Sequence, residues 1–146
     1  HDENAALLGG VSGHAGVFGN ANDLAKLMQM YLNMGIYGGE RYIEEKTMET
    51  FTSAPFRRQG NRRGIGFDKP ETDSRKQNPA AGNASLESFG HSGFTGTYAW
   101  ADPKTGLLLV FLSNRICPET TNTKLITSDL RTRVFELLTD AIETKE

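Results

Sequence analysis

Residues 90–115 read GHSGFTGTYAWADPKTGLLLVFLSNR, and this stretch decides the fold. It predicts a strand over 88–93 that ends in the small polar triplet His91-Ser92-Gly93, then a glycine-containing turn and a strand over 97–102. Asp102-Pro103-Lys104-Thr105-Gly106 is a turn by its proline and glycine placement. A further strand over 107–114 follows, apolar on both alternations from Leu107 to Leu112, which predicts a central strand buried on both faces.

Working outward, the segment GGVSGHAGVFG predicts a glycine-rich loop over 1–19, too glycine-rich for a helix or a long strand. A helix over 20–34 comes next. Asn20 is its N-cap, Leu24, Leu27, Met28, Tyr31 and Leu32 form an apolar stripe, and Gly35 ends it as the C′ residue. IYGGERYI reads as a turn between short extended pieces. A short helix over 45–53 stops before Pro55, and GIGFD predicts a short strand over 64–68. The polar stretch 69–87 reads as an exposed loop. A C-terminal helix over 122–143 is expected, capped by Asn122, with a stripe of Leu125, Ile126, Leu130, Val134, Leu137, Leu138 and Ile142. Strands in succession between helices indicate one α+β domain over 1–146, an antiparallel sheet covered by helices.

The chain has 146 residues, enough for one core. At 37% hydrophobic and 23% charged it has ordinary globular composition. A net charge of −2 gives no reason to expect nucleic acid as a partner. No apolar run approaches the roughly 18 residues of a membrane span. The opening HDENAALLGG is not a signal peptide and has no initiator Met, so the chain reads as a part of a longer polypeptide. Cys117 is the only cysteine, which excludes an internal disulfide and reads as a structural thiol.

Three blocks resemble the serine β-lactamase-like superfamily of class C β-lactamases, penicillin-binding proteins and esterases. They are GHAGVFGNANDLAKLMQMYLNMGIYGGERYI, GIGFD and GHSGFTGTYAWADPKTGLLLVFLSNR. The resemblance covers essentially the whole chain as the C-terminal portion of such a domain. It implies a partial β-lactamase/transpeptidase-like fold, without the family's N-terminal segment and nucleophile helix. The chemistry it implies is acyl transfer through an acyl-enzyme on β-lactams, D-amino-acid peptides or esters. It further implies a peptidoglycan-like or small-molecule substrate for the parent, a periplasmic or envelope location, and no cofactor. The upstream part of the same polypeptide is the expected partner.

That chemistry needs a Ser-x-x-Lys nucleophile, a Tyr-x-Asn or Ser-x-Asn relay, and a Lys-Thr-Gly, His-Thr-Gly or His-Ser-Gly strand wall. No serine of this chain has a lysine three residues on. The chain alone is therefore expected not to acylate. Lys104-Thr105-Gly106 spells the wall motif, yet it sits in the turn after Asp102-Pro103. Tyr31-Leu32-Asn33 spells the relay, yet it lies in the buried stripe of a helix. By position the wall is His91-Ser92-Gly93. The resemblance implies a substrate-facing imidazole at His91, a hydrogen-bonding hydroxyl at Ser92, close backbone approach at Gly93, and an oxyanion donor in the backbone N–H of Phe94. His14 in the glycine-rich loop and Asn114 at the end of the last strand are weaker pocket candidates. Histidine in place of lysine removes a fixed positive charge from the wall, which favours peptides or esters over β-lactams.

Other features carry less. A metal site from His1, His14 and His91 has no compact ligand spacing and no supporting carboxylate pair. Arg57, Arg58, Arg62 and Arg63 read as a solvated loop, and Asn83-Ala84-Ser85 as a chance glycosylation sequon. The alternative to an enzyme part is a non-catalytic binding or regulatory module on the same fold.

Overall fold

The computed structural model describes residues 3–143, and it is an α+β arrangement in which helices cover an antiparallel sheet. The sheet comprises β3 (Phe89–Ser92), β4 (Tyr98–Asp102) and β5 (Leu107–Phe111), in the order β3-β4-β5. His91 pairs with Ala99, Trp100 with Leu109 and Ala101 with Leu108. Side chains alternate between the two faces, and each face has its own core. On one face Met28, Tyr31 and Leu32 of α2 (Ala21–Leu32) meet Phe67, Phe89, Ala99, Ala101, Leu108 and Val110. On the other, Phe135 of α5 (Leu130–Glu143) meets Tyr98, Trp100, Leu109 and Phe111, with Ala80 and Ala81 beside them.

The helix after the glycine-rich segment starts as the sequence indicates. Asn20 accepts the Asp23 N–H at 3.0 Å and donates back to the Asp23 carboxylate at 2.8 Å, satisfying two groups at the helix start. Its end differs by one residue. Met34, at φ 52, occupies C′, and Gly35 is C″, donating to Met30 O at 2.9 Å. A side chain on Gly35 would run into the Ile43 carbonyl. The small hairpin of β1 (Ile36–Tyr37) and β2 (Glu40–Arg41) and the helix α3 (Glu45–Thr52) follow.

Several expectations are corrected. The 1–19 segment is not all loop: the glycine-free run Glu3–Leu7 forms helix α1, and Gly9 and Gly10, both at positive φ, end it. The stretch 64–68 makes no strand. Gly66 at φ 80 turns the chain, the Gly64 N–H bonds back to Phe67 O, and only Asp68 bridges the sheet, opposite Gly90. β4, not β5, is the central strand. β5 is covered by α2 and α5 on its two faces, which explains its unbroken apolar pattern, yet among the described residues no strand pairs with its outer edge. All five of its residues are consequently half-buried.

The polar stretch 69–87 is irregular but not simply exposed, since Lys69, Ala80, Ala81 and Ser88 around it are buried. The C-terminal helix is two helices, α4 (Lys124–Thr127) and α5, separated where Asp129 adopts φ 50. Asn122 lies one residue before the α4 cap, Thr123, although its side chain does accept the Lys124 N–H at 3.2 Å. The buried face of α5 carries Phe135 and Thr139, while Leu130, Leu137, Leu138 and Ile142 are exposed. Among the described residues no helix is long and apolar enough to cross a membrane.

Candidate functional site

The hydrogen-bond ladder of β3 sets the direction in which each of its groups points. Gly90 exchanges bonds with Asp68 on the side away from β4, at 2.7 and 3.2 Å. Backbone groups of alternate residues point to the same side of an antiparallel strand. Phe89 and His91 therefore bond to β4, and the N–H and C=O of Ser92 face the open edge. The Gly93 N–H returns to Thr97 O at 2.8 Å, and Gly96 N–H to Gly93 O at 2.9 Å closes a turn. Any side chain at Gly93 would strike the Thr97 hydroxyl, so glycine permits this tight reversal. The Phe94 N–H donates to no backbone carbonyl among the described residues and lies just beyond the edge.

The triplet does not form one flat wall. His91 lies on the α2 face of the sheet with Phe89, and Ser92 on the α5 face with Gly90. The imidazole meets two fixed partners. Arg63 Nη1 is 3.1 Å from His91 Nε2, and His91 Nδ1 is 2.8 Å from the Ser92 carbonyl.

On the Ser92 side a cleft of about 360 Å³ opens. Ser92, Gly93 and Phe94 line it together with Arg62, Arg115 and Arg131. Arg131, in the first turn of α5, donates to Thr97 O at 3.2 Å and sits 6.0 Å from the Tyr98 ring. Burial presses its pKa down from the usual arginine value, with the neighbouring Arg115 charge adding to the effect. Burial raises the pKa of the Tyr98 phenol, which therefore stays neutral beside them. Arg115 leaves the segment after β5, donates to Thr120 O and Asn122 O, and lies over the Phe94 ring at 4.9 Å. Arg62 is paired with Asp68 at 2.9 Å. The facing carboxylate at the cleft is Asp129, so guanidinium charge is in excess.

The structure thus brings Ser92, Gly93 and Phe94 together at the cleft and puts His91 beside it on the other face. It does not bring in His14 or Asn114, both exposed and lining neither this cleft nor the smaller one next to Leu24 and His91. The arginines were missed by sequence reasoning. Arg57 donates to Pro70 O, Arg62 to Lys69 O and Asp68, and Arg63 reaches His91, so these three tie the loop to the sheet, while Arg58 is exposed as the sequence indicates. Arg115, next to the candidate Asn114, is the residue of that pair that reaches the cleft. The proximity of the arginine cluster to GIGFD was the available signal.

The look-alike motifs fall where the sequence indicates. Lys104-Thr105-Gly106 occupies the β4–β5 turn, with the Lys104 N–H on Asp102 Oδ1 at 2.9 Å. That turn is at the opposite end of β4 from Tyr98, roughly 16 Å from the His91-Ser92 pair at strand rise. Tyr31 packs edge-on against Phe67, with ring centroids 5.4 Å apart. Among the described residues no group of three or more His, Cys, Asp or Glu is placed to hold a metal ion, and His1 lies outside them. Cys117 is exposed.

An open strand edge with free amide donors, beside a cleft rich in guanidinium groups, is suited to an extended chain that ends in an anion. Comparison with known proteins gives the class. Residues 1–131 match the family model described as Beta-lactamase, and the chain belongs to the β-lactamase family of serine hydrolases. Over 117 residues it is 39% identical to proteins named "Putative D-alanyl-D-alanine carboxypeptidase" in Salmonella paratyphi B and Salmonella newport. These alignments cover 79% of this chain and 26% of each relative, so the chain spans about a quarter of the length of the curated relatives it matches. A crystal structure titled as a putative beta-lactamase from Bacteroides dorei aligns with 88% of this chain and 48% of its own, at 14% identity and a TM-score of 0.44.

Proposed function

We propose that this chain forms the substrate-binding wall of a serine acyl-transfer hydrolase acting on peptides that end in a D-amino acid. The observation that carries the reading is the opening of the Ser92–Phe94 edge onto a cleft lined by Arg62, Arg115 and Arg131. A peptide lying along the edge has its backbone groups opposite those of Ser92, and its terminal carboxylate is received by the guanidinium groups. The Phe94 N–H donates to the oxygen on which negative charge develops in the transition state. Gly93 keeps that approach free of a side chain.

Arginines from other segments thereby supply the fixed positive charge that a histidine in the triplet does not. The carboxypeptidase names of the relatives support the same substrate class, and an envelope location goes with it. The nucleophile is assigned to a Ser-x-x-Lys segment that this chain does not contain.

Two measurements test the proposal. A peptide ending in D-alanyl-D-alanine should bind the chain at least about tenfold more tightly than its C-terminal amide, a difference of about 1.4 kcal/mol. Equal affinities would remove the carboxylate role. A penicillin or a fluorophosphonate should leave this chain unmodified while labelling a polypeptide that also carries an upstream Ser-x-x-Lys. A stoichiometric adduct on the chain alone would overturn the assignment.

A further inference from the structure

The contact between Arg63 and His91 joins two segments that are far apart in sequence, and its chemistry admits one arrangement of protons. A guanidinium has five N–H donors and no acceptor. At 3.1 Å from Arg63 Nη1, His91 Nε2 must therefore present a lone pair. A backbone carbonyl only accepts, so at 2.8 Å from Ser92 O, His91 Nδ1 must carry the proton. The neutral Nδ1–H imidazole satisfies both partners. The Nε2–H form and the doubly protonated ring would each turn an N–H toward an N–H.

Arg63 is itself held in place. Its Nη2 lies 3.6 Å from Asp68 Oδ2, and Asp68 is bonded both ways to Gly90 of β3, one residue before His91. Behind Arg63, the backbone of Gly64 lies so close to the Phe51 and Ser53 carbonyls that a side chain there would clash, and Ile65 N–H bonds Phe51 O at 2.9 Å. The end of α3 and the β3 bridge together fix the distance from guanidinium to imidazole. Asp68 also serves Arg62, which has a second carboxylate, Glu71, at 4.0 Å, so Arg62 and Arg63 stand beside two acidic groups.

We infer that Arg63 is a positioning residue of the wall, locking His91 in the Nδ1–H tautomer through Nε2 and placing its own fixed cation at that position. With both ring nitrogens engaged, His91 acts as a spacer between Arg63 and the Ser92 carbonyl. The groups left to meet a carbonyl or carboxylate oxygen of a bound molecule on this face are the remaining N–H donors of Arg63, whose side chain is half exposed. This goes beyond the wall reading above, because the tautomer is set within the chain whether or not a substrate is recognised.

The test is nitrogen NMR on the full chain with labelled histidine, at a pH where imidazoles are neutral and with no substrate added. Long-range proton–nitrogen correlations separate a protonated ring nitrogen from an unprotonated one, and a His91→Asn variant assigns the signals against His1 and His14. His91 should show a protonated Nδ1 and an unprotonated Nε2. Arg63→Met, which keeps bulk but no donor, should move the signals to the Nε2–H form or to an average of the two. Arg63→Lys, which restores a donor, should return them toward the wild-type pattern. An Nε2–H or averaged His91 in the wild type overturns the inference, and so does an unchanged spectrum in Arg63→Met with native Gly90 and Trp100 amide shifts. Should Arg63→Met unfold, the wild-type tautomer alone decides.

Discussion

Asp102, at the end of β4, accepts both the backbone N–H and the hydroxyl of Ser85, at 2.7 and 2.5 Å. Its carboxylate is fully buried and also takes the Lys104 N–H at 2.9 Å. One side chain therefore pins the long irregular stretch before β3 to the turn of the β4–β5 hairpin. Removing it strands three donors in a partly buried site, a loss of about 2–4 kcal/mol. Urea denaturation of Asp102→Ala should show that loss, and Ser85→Ala about 1–2 kcal/mol. An unchanged midpoint for Asp102→Ala would remove the pinning role.

Phe135 and Leu137 separate the two faces of α5. Phe135 is fully buried against Tyr98 and Trp100, whereas Leu137 is 69% exposed. Phe135→Ala should cost about 3–5 kcal/mol through lost burial and a residual cavity, and Leu137→Ala no more than about 0.5 kcal/mol. Equal costs in thermal or urea unfolding would show that α5 is rotated from this orientation.

Lys69 predicts the pH dependence of stability. It is buried, donates to Glu87 O at 2.7 Å, and its pKa is lowered to about 8, first by burial and then by the Arg57 charge. Below pH 8 the lysine is charged in both folded and unfolded chains, and folding bears the whole cost of burying it. Above pH 8 the folded form releases the proton while the unfolded form keeps it up to its own, higher pKa. The unfolded state then binds more protons, so stability rises with pH. The gain between pH 8 and 10 should be about 1–3 kcal/mol. Above pH 10, ionisation of Tyr98 in the unfolded state alone works the other way, because burial raises its folded pKa. Lys69→Met should flatten the rise between pH 8 and 10 in denaturation profiles, and a slope that survives this substitution would assign the effect to another group.

Asn83 gives a simpler expectation about modification. Its Nδ2, the atom a glycan would occupy, donates to Glu136 O at 3.1 Å and to Asp140 Oδ1 at 2.7 Å. Asn83→Asp would set a carboxylate against both oxygens and should destabilise the chain by about 1–3 kcal/mol, read from its unfolding midpoint. A neutral result would free this site for modification.

The strand-turn-strand order of residues 88–111, the capped second helix and the displaced Lys-Thr-Gly were legible because each rests on local rules. Glycine and proline placement marks the turns, and a 3.6-residue apolar period marks α2. The central position of β4 was not legible, because apolar residues on both alternations mean only that both faces are covered. Leu107–Phe111 is covered by α2 and α5 and still lies at an edge. The α5 stripe was misread for a related reason. Leu130, Leu137 and Ile142 out-rank Thr139 on any hydrophobic scale, yet Thr139 is buried because its hydroxyl bonds Phe135 O within the helix.

The candidate site divides in the same way. The sequence by itself determined the triplet His91-Ser92-Gly93, the glycine that permits its turn, the absence of a Ser-x-x-Lys in this chain, and the family. Tertiary structure alone decided where the positive charge stands. Arg62, Arg63, Arg115 and Arg131 come from three separate segments, and only the Asp68–Gly90 bridge, the close packing at Gly64 and the break at Asp129 bring them to one end of the sheet. Their convergence depends on contacts across the fold, whereas a strand, a turn or a cap is specified by neighbours a few residues away.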